Sequence, residues 1–265
     1  MTAIESLLTG AFALYGWIVG AARTILTNDG AWDMIFNLSQ SIIYPIALSI
    51  AVICMLYEIS QTAMKVDTIN WETGVRLLVL MAIVRVSLYW VPQLLRAMWS
   101  TAVGIINRVH APESNPLGNA DAIMQYINDL GFIDRMIAFL PIFIVSMAII
   151  VSGLAILFIA YGRLFEILIY VFISPIPIAF LALGSFNGGI NRTTGRFLRI
   201  FAAACLHGAI LLVCVVIFGA ISGNIINISS DDSVLWTLMQ SAFVALIMTG
   251  AVIKSGSWAK AALDA

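Results

Sequence analysis

One stretch of sequence decides the fold class of this protein: residues 161–219 are YGRLFEILIYVFISPIPIAFLALGSFNGGINRTTGRFLRIFAAACLHGAILLVCVVIFG. The tetrapeptide SPIP at residues 174–177 interrupts a first apolar segment, and a glycine-rich turn with three arginines then leads into a second. Apolar segments of this kind are typical of membrane-spanning helices, and prolines interrupt a helix because each removes a backbone donor. The stretch therefore predicts a membrane protein in which a broken helix precedes a basic loop.

The composition of the whole 265-residue chain indicates the same class, since 62% of its residues are hydrophobic and only 10% are charged. A helix needs roughly 20 mostly apolar residues to cross a bilayer. Lipid supplies no hydrogen-bond partners, so backbone groups must pair within each segment, which favours helices. Five runs without an internal charge reach the required length, at residues 34–57, 136–162, 167–191, 200–230 and 233–253, and a sixth at 77–95 contains Arg85.

We therefore predict an all-α, polytopic integral membrane protein with five full transmembrane helices, or six if a helix tolerates Arg85. One helix is expected to be proline-broken or re-entrant, and amphipathic helices are expected at the interface. The chain divides into four predicted segments: an N-terminal amphipathic or interfacial helix (1–33), an N-terminal membrane region (34–109), an extracytoplasmic loop (110–135), and a C-terminal membrane core (136–265) with a basic cytoplasmic loop at 185–199.

The first segment contains two glycines that predict close helix packing. Gly16 and Gly20 are four residues apart and so lie on one helical face, beside Tyr15 and Trp17. A helix that lies in the interface, or that packs closely on a neighbour, uses such a pattern. A plain first membrane helix is the alternative interpretation.

The distribution of Lys and Arg predicts the orientation, because short cytoplasmic loops are enriched in both. The basic loop at 185–199 and the C-terminus are expected in the cytoplasm, and the connection with Asp231 and Asp232 is expected outside. The acidic loop at 110–135 also belongs outside, which requires that one apolar run does not cross completely. Our candidate is 167–182, where two prolines remove two backbone donors.

The break itself is a candidate functional site, carried by Ser174, Pro175 and Pro177. Irregular backbone at membrane depth is tolerated only where it is buried in protein or lines a water-filled cavity. The first setting makes the break a packed proline kink whose freed carbonyls are satisfied by neighbouring helices. The second makes it part of a pore, and the sequence leaves both open.

Three arginines follow the break at helical spacing. Arg192, Arg196 and Arg199 lie on one face of the helix that enters the next apolar run. A basic face at the cytoplasmic surface attracts anionic lipid, an acidic partner or nucleic-acid phosphate. The alternative is that these arginines only set the topology.

The remaining charges near the apolar runs are candidates for intramembrane or boundary contacts, because charge is costly in lipid and usually faces protein or water. Arg85 lies midway along its run, with Glu58, Glu166 or the polar face of a subunit interface as its predicted partner. We favour a tilted or interfacial helix from residue 71 onward that continues past Pro92. Arg163 and Glu166 are three apart and can pair along one helix face.

No motif of a catalytic, cofactor or metal site is found, so we predict a protein that is not an enzyme and binds no cofactor or metal. His207 is interpreted as a packing residue, since no second ligand lies at metal spacing. Cys54, Cys205 and Cys214 lie in or beside apolar runs without paired spacing and are interpreted as small buried hydrophobes.

Several motifs resemble those of TrbL-like conjugal transfer proteins of the Gram-positive conjugative-element type. These are IAYGRLFEI at 159–167, SPIP at 174–177, FLR at 197–199 before the apolar run at 202–215, and KSGSWAK at 254–260. The uncharged span ending in CMLYE at 54–58 is similar as well. The resemblance extends from about residue 37 to residue 260.

The resemblance implies a polytopic channel subunit of a type IV secretion system in a bacterial cell membrane, which helps to move single-stranded DNA with its relaxase, or protein substrates. It implies an outside N-terminus, a cytoplasmic C-terminus and a homo-oligomer in membrane lipid. The implied partners are other secretion subunits, including the cytoplasmic ATPase, and the transported strand or protein. A small secondary transporter and a passive membrane anchor for a soluble complex are the alternatives.

Overall fold

The computed structural model describes residues 2–65, 71–108, 132–183, 192–225 and 234–263. Within these ranges the chain is helical and contains no strand. A π-helical turn, Ser39–Ile43, precedes the third helix, and a 3₁₀ turn, Phe180–Ala182, follows the sixth. The helices described are α1 Thr2–Leu26, α2 Trp32–Leu38, α3 Tyr44–Lys65, α4 Trp71–Arg108, α5 Phe132–Ile173, α6 Pro175–Ala179, α7 Arg192–Ile225 and α8 Val234–Leu263.

Five helical stretches are long and apolar enough to cross a membrane, which confirms the predicted class. Each exceeds the roughly 20 residues that a crossing requires. The stretches are Trp32–Gln61, Leu78–Arg108, Phe139–Ile173, Arg192–Ile217 and Ala242–Leu263.

Two of the predicted apolar runs share one helix in the structure. The runs at 136–162 and 167–191 are not separate, because α5 continues through Arg163 and Glu166 as one helix of 42 residues. Arg and Glu are good helix formers, and neither removes a backbone donor, so nothing stops the helix before the first proline of the break. The run at 77–95 supplies the fifth stretch instead, within α4, which continues through Pro92 as expected.

The chain forms two compact units. Unit 1 comprises Met1–Thr27, Val103–Leu164 and Leu206–Ala259. Its core forms where one face of α1 packs with α5, α7 and α8, because apolar side chains recur at helical spacing on each of these helices. The largest side chains of this cluster that are fully buried are Phe12, Tyr15, Ile149, Ile156 and Leu211.

Unit 2 comprises Asn28–Ala102, Phe165–Cys205 and Lys260–Ala265. Within it α3 packs against α6 and the 3₁₀ turn. Both sides of this contact bury small side chains, among them Ala47 and Ala51 on α3 and Ala179 and Ala182 after the break. Small residues let helix backbones approach closely, so the short α6 is held against the longer helix.

Several predicted features lie outside the described residues. They are the glycine-rich turn before residue 192, most of the loop at 110–135, and the connection that contains Asp231 and Asp232. Two boundaries of the predicted segments, at residues 33 and 135, lie inside α2 and α5.

Candidate functional site: a proline break closed by hydroxyl groups

The helix α5 ends at Ile173 because Pro175 has no N–H to donate to the carbonyl of Val171. The hydroxyl of Ser174 takes over that role and donates to the Val171 carbonyl at 2.8 Å. The backbone N–H of Ser174 also approaches this carbonyl, at 3.4 Å. Ser174 is fully buried, so its hydroxyl replaces inside the protein the hydrogen bond that the proline removes.

Two further hydroxyls reach the break from elsewhere in unit 2. Ser39 donates its Oγ hydrogen to the Phe172 carbonyl at 2.8 Å, across 133 residues of sequence. Thr194 donates its Oγ1 hydrogen to the Pro177 carbonyl, also at 2.8 Å. Ser39 and Thr194 are each only 2% exposed, while the acceptor residues Phe172 and Pro177 are half-buried, so both bonds are partly shielded from solvent. An unsatisfied carbonyl in such a setting would carry a large desolvation cost.

Ser39 reaches the break from an irregular turn of its own. It is the first residue of the π-helical turn Ser39–Ile43, which joins α2 to α3. Single π-helical turns inside α-helices are rare and occur frequently at functional sites. The hydrogen bond from Ser39 to the Phe172 carbonyl therefore joins two departures from regular α-helix, the π turn and the proline break.

Tyr170 makes one contact within α5 and one that joins α5 to α7 beside the break. The Tyr170 hydroxyl donates to Glu166 Oε1 at 3.0 Å. The Tyr170 ring packs edge-on against Phe197, with 6.2 Å between ring centroids. Phe197 is buried three residues after Thr194, so one face of α7 supplies both a hydroxyl and an aromatic contact. These contacts correspond to the packed-kink interpretation of the break.

Unit 1 contains a separate polar cluster, in which His207 and Ser255 are buried and Arg163 is half-buried. The Oγ of Ser255 lies 2.6 Å from His207 Nε2 and donates to the Val252 carbonyl at 2.7 Å. Because the single hydroxyl hydrogen is used in the second bond, Nε2 must donate in the first. His207 is therefore buried with a polar contact, which refines its interpretation as a packing residue.

Gly256 allows this cluster to form. A methyl group placed on Gly256 would lie 2.7 Å from His207 Cε1 and 2.8 Å from Arg163 Nη2. Both distances are shorter than van der Waals contact, so any larger residue at this position would require these side chains to move. Ser255 and Gly256 are not among the predicted site residues, although both lie in the KSGSWAK motif.

The N-terminal helix has one buried and one exposed face within unit 1. On the buried face the Tyr15 hydroxyl donates to Met248 Sδ at 2.9 Å, and burial raises the pKa of this phenol. Ile18 and Tyr15 also pack on Gly153, where a methyl group would lie 2.9 Å from Ile18 Cδ1. The helix is thereby attached to the core of the unit.

Gly16 and Gly20 lie on the exposed face, and no heavy atom of the described chain lies within 4 Å of a methyl group placed on either. Gly20 forms part of an open groove of about 560 Å³ between α1 and α5. The groove is lined by Trp17, Gly20, Ala21, Thr24, Ile25, Leu157 and Tyr161. Packing of these glycines on another helix therefore stays a prediction about a partner outside this chain.

The structure places the predicted charged residues as follows. Arg192, Arg196 and Arg199 are all exposed on the first two turns of α7. Arg85 is exposed on α4 and makes no hydrogen bond or ion pair to a described residue, and Glu58 is half-buried. The predicted pairings of Arg85 and of Arg163 with Glu166 stay predictions.

One charged contact was not anticipated from the sequence. Arg96 on α4 forms an ion pair with Asp33 on α2, with 3.2 Å between Nη1 and Oδ1. Trp99 stacks on Trp32 beside it, with ring centroids 5.2 Å apart. Arg96 and Asp33 are 63 positions apart in the sequence, so no local spacing indicates their contact.

These features define a helical, multi-pass membrane protein in which hydroxyl groups close an internal helix break. Among protein families, residues 22–175 match the one described as TrbL/VirB6 plasmid conjugal transfer like protein. The match covers more than half of the 265 residues, so the chain belongs to this family. Comparisons with curated proteins and with solved structures gave no match.

Family membership confirms the resemblance to TrbL-like proteins and makes the protein a component of a conjugal transfer, or type IV secretion, apparatus. The family is one of structural components of conjugation. The matched residues include the motif at 159–167 and end at Pro175, within the break. The motifs at 197–199 and 254–260 lie beyond the matched residues.

Proposed function

We propose that several copies of this chain form a membrane channel or scaffold subunit that helps to move single-stranded DNA with its relaxase, or protein substrates, across a bacterial cell membrane. The proposal rests on the family, which is one of conjugal transfer components. The observation that carries it from the structure is the closure of the break by Ser39, Ser174 and Thr194. A break held in this way positions the helices around the transport path and does not itself bind the transported substrate.

The same observation distinguishes this proposal from a small secondary transporter. In such transporters unwound backbone carbonyls at a broken helix coordinate the transported ion. Here the carbonyls of Val171, Phe172 and Pro177 each accept a hydrogen bond from a side-chain hydroxyl of the protein. These three acceptors are therefore engaged in packing.

The proposed partners follow from the exposed charges and from the family. With the C-terminus in the cytoplasm, Arg192, Arg196 and Arg199 would face the cytoplasmic ATPase or the phosphates of the transported strand. Cations at a membrane surface attract phosphate and acidic protein groups by the same electrostatics. The loop at 110–135 would then meet extracytoplasmic secretion subunits.

Deletion and complementation test the proposed function. We expect removal of this chain from a donor strain to abolish conjugal transfer and expression of the intact chain to restore it. Sizing of the purified protein in detergent tests assembly, with an oligomer around a central opening as the expected result. A donor that transfers normally without the chain would overturn the function, and a compact monomer would overturn the channel.

Charge reversal tests the role of the basic face. We expect the triple substitution of Arg192, Arg196 and Arg199 to Glu to reduce transfer strongly, whereas the triple substitution to Lys keeps the charge and most of the transfer. A reporter fused to the C-terminus controls for altered topology, because the same arginines bear on orientation. Normal insertion together with normal transfer in the Glu variant would remove the proposed contact.

A further inference from the structure

The helix α4 shows three different faces over its central turns, all within unit 2. One face is buried and apolar, and carries Val84, Leu88, Val91 and Leu95. A second face is exposed and apolar, and carries Ile83, Val86, Trp90 and Leu94. The third face is exposed and polar, and we call it the polar stripe: Arg85, Tyr89, Gln93, Arg96 and Ser100.

The polar stripe follows the helical repeat. Its members are spaced by four, four, three and four residues, which places them on one side of a helix. The fifteen steps from Arg85 to Ser100 extend about 22 Å along the axis, at 1.5 Å per residue. The hydrocarbon core of a bilayer is about 30 Å thick, so the stripe covers most of a crossing. It lies entirely inside the candidate span Leu78–Arg108.

Lipid is unsuited to cover this face, while it is well suited to cover the apolar face beside it. Arg85 and Gln93 make no hydrogen bond to a described residue, and Arg96 is paired only with Asp33. Arg85 lies eleven residues, or about 16 Å, along the helix from Arg96. Polar and charged groups at such depth face protein or a water-filled cavity.

A second copy packed stripe to stripe is also disfavoured. Such a contact would bring Arg85 and Arg96 against the same two cations of the partner, and like charges at short distance repel. Only Arg96 has an anionic partner among the described residues. Water solvates all five side chains of the stripe without requiring a complementary surface.

We propose that the polar stripe of α4 faces a water-filled path through the membrane, bounded on its other sides by further copies of this chain. The inference rests on the proposed channel function and identifies a face that lines the channel. The exposed apolar face with Ile83, Val86 and Leu94 then faces lipid, while the buried face packs inside the protein.

Single cysteines at neighbouring positions test the proposal. Gln93→Cys lies on the stripe and Leu94→Cys lies on the apolar face only one residue away, and Tyr89→Cys with Trp90→Cys forms a second such pair. Each variant is expressed with the complete transfer apparatus and exposed to a charged, membrane-impermeant thiol reagent, in spheroplasts and in inside-out vesicles. Mass spectrometry of the labelled peptide keeps the signal separate from the three native cysteines.

We expect the stripe cysteines to react about tenfold faster than their neighbours from at least one side, because the reactive thiolate forms in water and not in lipid. Labelling after denaturation normalises each variant for its amount. Equal rates within both pairs, or faster reaction at Leu94→Cys, would overturn the proposal. If the deletion strain has lost transfer while the stripe reacts no faster than the apolar face, the channel function stands and only this assignment of its lining fails.

Discussion

Replacing Ser39 by alanine tests whether the proline break is held by hydroxyl groups. The substitution removes the hydroxyl that donates to the Phe172 carbonyl. Because the Ser39 side chain is only 2% exposed, water has little access to this carbonyl from the side of Ser39. Leaving a buried acceptor unsatisfied costs about 1–3 kcal/mol, whereas interhelical hydrogen bonds in membrane proteins average about 0.6 kcal/mol with a maximum of about 1.7. We therefore expect Ser39→Ala to lower the free energy of unfolding by about 1–2 kcal/mol.

Ser41→Ala is the matched control for this substitution. Ser41 lies in the same π turn, but its hydroxyl is exposed and donates to the Leu38 carbonyl at the end of α2. Its loss should cost less than about 0.5 kcal/mol, as for most exposed substitutions. Thermal unfolding in detergent should show Ser39→Ala about 1–8 °C below the control, taking about 2–4 °C per kcal/mol for a protein of this size. Coincident midpoints of the two variants would refute the proposed closure of the break.

The remaining predictions compare glycines that differ in the space around them. Gly256→Ala should be about 1–3 kcal/mol less stable than Gly250→Ala on the same helix, because the methyl group added at Gly256 meets close neighbours and the one added at Gly250 meets none. Equal thermal midpoints of the two variants would contradict the close approach of the polar cluster to Gly256. Gly153→Val should weaken the attachment of α1 more than Gly162→Val does, because only Gly153 lies against side chains of α1 among these two glycines. The weaker attachment should appear as faster proteolysis of α1, and equal cleavage rates in the two variants would argue against the contact between α1 and Gly153. Gly20→Leu should leave the thermal midpoint unchanged but lower the fraction of oligomer seen on sizing, because the leucine fills a groove that is open in the single chain. An unchanged fraction of oligomer would count against packing through this face.

Hydropathy and proline chemistry predicted the helical class and the place of the break, because both depend on residues that are adjacent in the chain. A charge-free apolar run specifies a span, and Pro175 specifies where a hydrogen-bonded helix must stop. The apolar runs at 136–162 and 167–191 are separated in the sequence only by the segment with Arg163 and Glu166, whose expected pairing already requires a continuous helix there. Arg and Glu carry intact backbone donors, and α5 passes through them.

The closure of the break could not be predicted from the sequence, because it depends on residues that only the fold brings together. Ser39 and Phe172 are 133 positions apart, and His207 and Ser255 are 48 apart. A serine in an apolar run has the same local pattern whether it bonds its own helix, as Ser49 does, or another one, as Ser39 does. The polar stripe differs in this respect, since its spacing is visible in the sequence and its exposure is visible only in the structure.

The most direct test of the channel proposal is to recover the transported DNA strand with this chain during transfer. Donor cells that carry a tagged copy are crosslinked with formaldehyde while they transfer, the chain is immunoprecipitated, and the strand is quantified by amplification. We expect the strand to be recovered when the ATPase is active and to be absent when the ATPase is inactivated. Cells that transfer normally and yield no strand with this chain would contradict the claim that it forms part of the path.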